Sequence, residues 1–311
     1  MILLIFVFGI MFLLACGGKA AENEPDAPVE ENAVPAVVSV EITTEPFVTP
    51  APLIHDEWYA DRNEALIKYV RAYGSAQTEN DVLKQVSAMA IDPDKKRVAF
   101  TFDDGPRDEL TDAVLDICEE YNVRVTFFIK GSYIAGHEAQ LKRMLGLGCE
   151  IGNHTWDHVD IETLTPEEMR QQIESVNQQI ESLLDYHIQL FRPPYIRYGK
   201  NDPAVRDALK EIMERNGMAV VNHTRSSHDT YDNYTEDMIY ERCVAPYDEE
   251  SAHGLHNAII LCHDKTMRTV NAFRRAVPEL QAQGFQFVTV SELLYCSADG
   301  FHPGWIYSKA D

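Results

Sequence analysis

The apolar and polar positions of the chain divide it into short buried segments and longer amphipathic ones. Seven runs rich in apolar, β-branched residues predict strands. They lie at 97–102, 123–129, 149–152, 188–192, 218–222, 258–262 and 285–290. Helical patterns separate most of these runs, and repeated strand–helix units indicate a parallel sheet or barrel. Seven strands predict an α/β barrel short of the usual eight.

Two of the amphipathic segments illustrate the helical pattern. One carries an apolar stripe formed by Leu110, Val114, Leu115, Ile117 and Cys118. The other begins at Thr165-Pro-Glu-Glu, where a hydroxyl can cap the helix, proline fits the first turn and acids face its positive end. Its stripe is formed by Met169, Ile173, Val176, Ile180 and Leu183.

Residues 54–92 form a separate segment before the first predicted strand. The positions spaced for one helix face are Trp58, Leu66, Ile67 and Val70, and those spaced for a second face are Val82, Leu83 and Val86. This spacing predicts a helical preface that packs rather than carrying chemistry.

Polar side chains gather where the predicted strands end. They are Asp103, Asp104, His154, Arg192, His223 and His263. In an α/β barrel the carboxyl ends of the strands meet at one rim, where reactive groups collect. The stretch TFDDGP at 101–106 stands out, because adjacent carboxylates repel and burying either one alone is costly. Such a pair requires a compensating cation, metal ion or solvent.

The stretch HTWDH at 154–158 offers a partner for one of these carboxylates. Two imidazoles four residues apart can face one point, and with a carboxylate they make a three-ligand site with open positions for water. The histidine pair alone is more typical of surface or core histidines. Together with the aspartate pair it favours a divalent metal ion.

Two further strands end in polar residues. FRPPY at 191–195 contains two prolines that fix φ, so it predicts a rigid rim presenting Arg192 and the Tyr195 amide. An ordinary strand exit with a surface arginine fits this motif equally well. ILCHD at 260–264 is an apolar strand that ends in His263.

The N-terminal region predicts that the protein is exported. Residues 2–15 are apolar over the length of a signal peptide, and Leu13-Leu14-Ala15-Cys16-Gly17 resembles a bacterial lipobox. This predicts a lipoprotein signal over 1–16 and a diacylglyceryl group on Cys16 that anchors the protein to the outer face of the membrane. No basic residue precedes the apolar run, and a secretory signal or a short anchor helix is the alternative.

The net charge of −23 excludes a nucleic-acid partner.

Composition predicts a disordered segment after the signal, and cysteine spacing predicts free thiols. Residues 17–53 are rich in Ala, Glu, Pro, Val and Thr without helical periodicity, which predicts an extended, disordered acidic tether. No C-x-x-C pair occurs, and five cysteines remain when Cys16 is set aside. We therefore expect mostly buried free thiols rather than a zinc knuckle or a disulfide framework.

TFDDGP, HTWDH, FRPPY and LCH, in this order and each after a strand, resemble the polysaccharide deacetylases of the NodB-homology type, carbohydrate esterase family 4. The segment QAQGFQFVTVSELL at 281–294 is similar to the C-terminal end of that family, and we assign residues 93–311 to this domain. The resemblance implies a distorted (β/α)7 barrel. It also implies removal of N- or O-acetyl groups from sugars with one divalent ion, for which we expect zinc, with cobalt or another divalent ion as alternatives.

The resemblance also implies roles for individual residues. It makes Asp103 the general base and His263 the general acid. It assigns the metal to Asp104, His154 and His158. It places Arg192 beside Asp103, gives the Tyr195 amide to the oxyanion, and puts Leu261 in the pocket for the acetyl methyl group.

The sequence departs from the family between the third and last motifs. An Asp-x-x-Asp pair is expected there, but the chain reads Asn222-His-Thr-Arg-Ser-Ser-His-Asp229. The aspartate positions are then filled by Arg225 and His228 or, one residue later, by Ser226 and Asp229. We expect at least one carboxylate to be missing, so that His263 is tuned by Asp229, by another acid or not at all. His223 and His228 are expected to be solvated loop residues, with substrate contacts as the alternative.

These observations predict a metal-dependent hydrolase that removes N-acetyl groups from GlcNAc-type units of peptidoglycan or another extracellular polysaccharide. Two alternatives stay open. One is an O-acetyl esterase acting on a polysaccharide such as acetylxylan. The other is a non-catalytic, lipid-anchored glycan-binding protein.

Overall fold

The computed structural model describes residues 56–248, 250, 253–297 and 300–307. The predicted lipidation at Cys16, the signal at 1–16 and the tether at 17–53 lie outside these residues. Within the described part of the chain, no helix combines the length and the apolar character needed to cross a membrane.

Helices occupy both the preface and the segments between the strands. Their bounds are α1 Asp56–Tyr73, α2 Glu79–Ala88, α3 Asp108–Tyr121, α4 Glu138–Gly146, α5 Pro166–Leu184, α6 Pro203–Arg215, α7 Glu236–Val244, α8 Met267–Ala282 and α9 Val290–Tyr295. At the start of α5, Thr165 and Glu168 form the reciprocal capping box and Pro166 lies in the first turn, so the cap and the proline have the predicted positions.

Each of the seven predicted strand segments overlaps a strand of one parallel sheet. The bounds of all strands in the described residues are β1 Lys96–Asp103, β2 Thr126–Ile129, β3 Glu150–Asn153, β4 Leu190–Phe191, β5 Ala219–Val221, β6 Arg225–Ser226, β7 Tyr247–Asp248, β8 His253–Gly254, β9 Ala258–His263, β10 Phe285–Phe287 and β11 Ile306–Tyr307. The strands that the pattern missed, β6, β7, β8 and β11, have two residues each, too few to show a period.

The parallel sheet is curled. Its order is β11-β5-β4-β3-β2-β1-β9-β6, and β10 pairs with the beginning of β1. β5 and β6 lie near opposite ends of this order, although only residues 222–224 separate them in the chain. Because an extended residue spans at most about 3.6 Å, this short connection brings the two ends of the sheet close together. The fold is therefore α/β with a parallel sheet bent towards a barrel.

Both faces of the sheet are buried, which explains why the strands read as continuous apolar runs. On β1, Phe100 and Phe102 point outwards and pack against Phe273 of α8, with ring centroids 5.1 Å away in each case. Ala99 points inwards and belongs to the cluster that fills the curl. Since side chains alternate along a strand, Asp103 shares the inner face with Ala99.

The helical preface packs on the amino end of the sheet. Val70 of α1 is in one buried cluster with Val82, Val86 and Met89. The ring of Trp58 stacks on Tyr295 of α9 at 4.4 Å. One predicted contact is wrong: Leu83 is 47% exposed, because α2 turns Val82 and Val86 inwards and Leu83 out to solvent.

A buried ion-pair network joins α1 to the sheet. Arg62 pairs with Glu292 at 2.5 Å and donates a hydrogen bond to the Met89 carbonyl at 2.7 Å. Arg124, just before β2, pairs with the other oxygen of Glu292 at 3.0 Å. Burial alone raises the pKa of Glu292, but the two guanidinium groups hold it below its ordinary value. The preface is thus bonded to the sheet through groups that cannot be left unpaired.

The cysteines agree with the prediction from their spacing. The five cysteines of the described residues are all buried and free. They pack as small apolar side chains on helices and strands.

We expect Arg62→Ala to lower the free energy of unfolding by about 2–3 kcal/mol, because it leaves a buried carboxylate with one cation instead of two. Arg71→Ala is the matched control, since Arg71 also lies on α1 and pairs with a glutamate, Glu79, but in an exposed position. It should leave the midpoint of urea unfolding unchanged. Equal losses in the two variants would contradict the role given to the buried network.

Candidate metal and catalytic site

The ladders of the sheet bring the predicted residues to one rim. The register of β1 against β9 places Asp103 beside His263. The His154 amide donates to the Ile129 carbonyl at 2.9 Å, and the Arg192 amide donates to the Asn153 carbonyl at 2.9 Å. These backbone bonds fix the chain just beyond β1, β3, β4 and β9, so that the four motifs meet.

Asp104, His154 and His158 converge on one point. Their ligand atoms all lie within 4.8 Å of one another. Asp104 Oδ1 is 3.3 Å from His154 Nε2 and 2.9 Å from His158 Nε2. Asp104 and His158 have φ values of 74° and 60°, in the left-handed region that non-glycine residues seldom adopt. Strain of this kind concentrates at functional sites.

The three side chains fit a divalent metal ion. Asp104 Oδ1 is buried and, within the described residues, has no hydrogen-bond partner despite its short distances to the imidazoles. A buried oxygen with an unused lone pair is a donor for a cation. His154 Nδ1 lies 2.6 Å from the Arg192 carbonyl, which places its proton on Nδ1 and leaves Nε2 free to face Asp104. Two imidazoles and one carboxylate match the ligand set of a catalytic zinc or a related ion.

Asp103 has a separate set of partners. Arg192 is fully buried and donates to Asp103 Oδ1 at 2.8 Å and to Thr101 Oγ1 at 2.6 Å. Its remaining donors reach the carbonyls of Val221 at 3.3 Å and Asn222 at 3.1 Å. The two adjacent aspartates are therefore compensated differently: Asp103 by a guanidinium, Asp104 by the groups around the metal position.

His263 is paired with a buried carboxylate. Its Nδ1 lies 2.9 Å from Asp229 Oδ1, and its amide donates to Asp229 Oδ2 at 2.6 Å. Thr269 Oγ1 donates to the same oxygen at 3.0 Å. Burial lowers the pKa of His263, but the bond to Asp229 and its charge raise it above the ordinary value. Of the three possibilities left open by the sequence, the structure selects Asp229 as the partner.

Of the two registers considered in the sequence, the one with Ser226 and Asp229 in the aspartate positions agrees with the contact between Asp229 and His263. Arg225 points elsewhere and donates to the carbonyls of Ala245 and Arg242. The expectation that His263 could lack a carboxylate is therefore wrong.

Tyr195 and Leu261 are the remaining residues that the resemblance assigns to the site. Tyr195 belongs to a 3-10 turn after β4 with φ of 58°, and its exposed ring packs edge-on against His158 at 4.9 Å. Leu261 lies two residues before His263 on β9 and so shares its face of the strand. Tyr195 thus contacts a residue of the metal cluster, whereas Leu261 is placed by the strand face that it shares with His263.

His223 and His228 are partly buried, whereas solvated loop residues were expected. Burial lowers the pKa of His223 to about 4, and the charge of Arg192 adds to the effect. The ring of His228 contacts the Tyr234 hydroxyl at 2.9 Å and Glu250 at 3.3 Å. Loop composition could not reveal this burial, because it arises from packing against distant segments.

Two residues of the site were missed by sequence reasoning. Lys265 Nζ contacts Asp104 Oδ2 directly. Asp264 is fully buried beneath Gly105 and accepts a hydrogen bond from Thr111 Oγ1. Burial raises the pKa of Asp264 to about 6, although the hydrogen bond from Thr111 opposes the shift. A Cβ at Gly105 would clash with this carboxylate, which explains the glycine after the aspartate pair.

With the geometry established, the comparisons with known proteins identify the family. A model of the polysaccharide deacetylase family matches residues 90–212. A peptidoglycan-N-acetylglucosamine deacetylase of Bacillus cereus is 31% identical over 209 residues, which cover 64% of this chain and 89% of that protein. The peptidoglycan-N-acetylglucosamine deacetylase PgdA of Listeria monocytogenes is 31% identical over 198 residues, 64% of this chain and 39% of that protein. The chain therefore spans only about two fifths of the length of this longer relative.

A solved structure agrees with the sequence comparisons. The peptidoglycan deacetylase PdaC from Bacillus subtilis has a TM-score of 0.56 and 31% identity, over 65% of this chain and 91% of that chain. The predicted resemblance is confirmed: this chain belongs to the polysaccharide deacetylase family, the NodB-homology group of carbohydrate esterase family 4.

Proposed function

We propose that the protein is a metal-dependent carbohydrate deacetylase that hydrolyses N-acetyl groups of GlcNAc-type units in peptidoglycan or another extracellular polysaccharide. One observation carries the proposal. Asp104, His154 and His158 converge on a single point, and Asp103 and His263 flank it, each with its own buried partner. Membership of the family and the names of the relatives support the same activity.

Asp104 Oδ1 and the Nε2 atoms of His154 and His158 would hold a zinc or cobalt ion. When bound, such an ion supplies Lewis acidity, which lowers the pKa of a water ligand to about 7 and polarises the acetyl carbonyl. Three protein ligands leave positions open for the water and the substrate.

Asp103 acts as the general base in this proposal. Arg192 pairs with its carboxylate and orients it, so that it can accept the proton of the attacking water. The Tyr195 amide donates to the oxygen on which negative charge develops, and one such donor contributes about 10²–10³ in kcat. Leu261 receives the acetyl methyl group.

His263 acts as the general acid. The sugar amine needs a proton in order to leave, and His263 can deliver it from Nε2 because Nδ1 is held by Asp229. The raised pKa of His263 favours the protonated ring that a general acid needs.

We further propose that the curled sheet is the distorted (β/α)7 barrel of the family and that the protein works in the cell envelope. The sequence supports export through the 1–16 signal, attachment through a diacylglyceryl group on Cys16, and reach through the 17–53 tether. Two acyl chains make stable anchoring, where one chain does not.

Asp103→Asn should lower acetate release from N-acetylglucosamine oligomers by at least about 100-fold, because the base is lost while the metal ligands remain. Acetate is measured with added zinc or cobalt, and bound metal is quantified in the same sample. An acetylated xylan assayed in parallel reports any O-acetyl activity. Equal acetate release by the wild type and the variant would reject the assignment.

Removing the metal with a chelator should abolish acetate release, and adding zinc or cobalt should restore it. Asp104→Asn should bind less than one ion per chain and gain no activity from added metal, since it replaces the charged ligand. Activity that survives complete metal removal would contradict a metal-dependent reaction.

Asp229→Asn should lower the pKa of His263, measured by NMR titration of the histidine ring. The amide oxygen of Asn can keep the bonds from the His263 amide and Thr269, so its NH₂ group faces His263 Nδ1 and favours the neutral ring. An acid must be protonated to act, so the alkaline limb of the pH–rate profile moves to lower pH. The matched control is Asp232→Asn, in an exposed position. It should leave the pKa of His263 and the alkaline limb of the pH–rate profile unchanged. An unshifted limb in Asp229→Asn would remove His263 from the acid step.

A further inference from the structure

Lys265 reaches the metal position from the rim. It follows β9 two residues after His263, and its side chain is 37% exposed. A lysine this exposed usually extends into solvent, but here Nζ pairs with Oδ2 of the buried Asp104. The other oxygen, Oδ1, faces the two imidazoles. One carboxylate is thus placed between a built-in cation and the point where the ligand atoms converge.

The charges around this point explain why a cation is needed there. Asp103 and Asp104 are both almost fully buried, and Asp103 is compensated by Arg192. Asp104 has its Oδ1 facing the imidazoles of His154 and His158 and its Oδ2 paired with Lys265. Metal binding requires both imidazoles to be neutral, whereas Lys265 brings an ammonium group next to Asp104.

We propose that Lys265 is a counter-ion that competes with the metal for Asp104 and so sets the metal affinity of the site. Without a metal ion, its ammonium group neutralises the buried carboxylate and stabilises the empty site. When a divalent ion arrives, the same charge repels it and draws electron density from its carboxylate ligand. This inference rests on the metal site of the proposed function.

The expected effect is large enough to measure. Two charges a few ångströms apart at the edge of a protein interact much more strongly than in bulk water, although the exposed side of Lys265 is screened by solvent. We expect removal of the charge to tighten metal binding about tenfold. The metal-free protein should become less stable, with a Tm lower by about 2–4 °C.

The test compares Lys265→Met, which removes the charge and keeps most of the length, with Lys265→Arg, which keeps the charge. Lys142→Met, an exposed position on α4, is the matched control for charge change. The dissociation constant for Zn²⁺ is measured by competition with a chromogenic chelator, and binding of Co²⁺ by its visible absorption. Tm is recorded for each protein with and without metal.

Lys265→Met should bind metal about tenfold more tightly, with a lower metal-free Tm and a larger rise in Tm on metal addition. Lys265→Arg and Lys142→Met should match the wild type. If Lys265→Met binds metal equally or more weakly while Asp104→Asn loses it, the role of Lys265 is overturned and the metal site stands. If the wild type binds no more metal than Asp104→Asn, the proposed function fails and this inference fails with it.

Discussion

The site depends on the burial of two adjacent carboxylates at the end of the central strand. Asp103 and Asp104 are 2% and 4% exposed, so each must be matched by positive charge or ligands at short range. Left-handed φ at Asp104 turns its side chain away from that of Asp103. One carboxylate therefore meets a buried guanidinium inside the curl, and the other meets two imidazoles and an ammonium at the rim. The separation of partners lets neighbouring residues perform different chemistry.

Sequence patterns could predict the sheet because its longer strands are buried on both faces and carry continuous apolar runs. They could also predict the rim, since parallel strands end together and the polar residues follow those ends. Two-residue strands such as β6 and β11 have no measurable period. Leu83 was misplaced because neighbouring positions on a short helix differ by 100° in direction, and only packing decides which is buried.

Contacts between side chains far apart in the chain could not be predicted from sequence patterns. Arg62 and Glu292 are 230 residues apart, and nothing local indicates that they meet. Asp229 could be named only as one of several partners for His263, because its position depends on how the loop after β6 returns to β9. Lys265 was missed because its contact with Asp104 comes from the reach of a long side chain rather than from a motif.

Arg192 has a second consequence for the molecule. Within the described residues no ladder joins β5 to β6, and the chain crosses there at residues 222–224. The guanidinium that orients Asp103 also bonds to carbonyls on both sides of the start of this crossing, at Val221 and Asn222. Lysine, a point charge without a planar fork, could not reproduce those bonds. A substitution of Arg192 would therefore remove the bonds that hold the crossing between β5 and β6, and it would also misalign Asp103. No second substitution elsewhere could restore one of these two functions without the other.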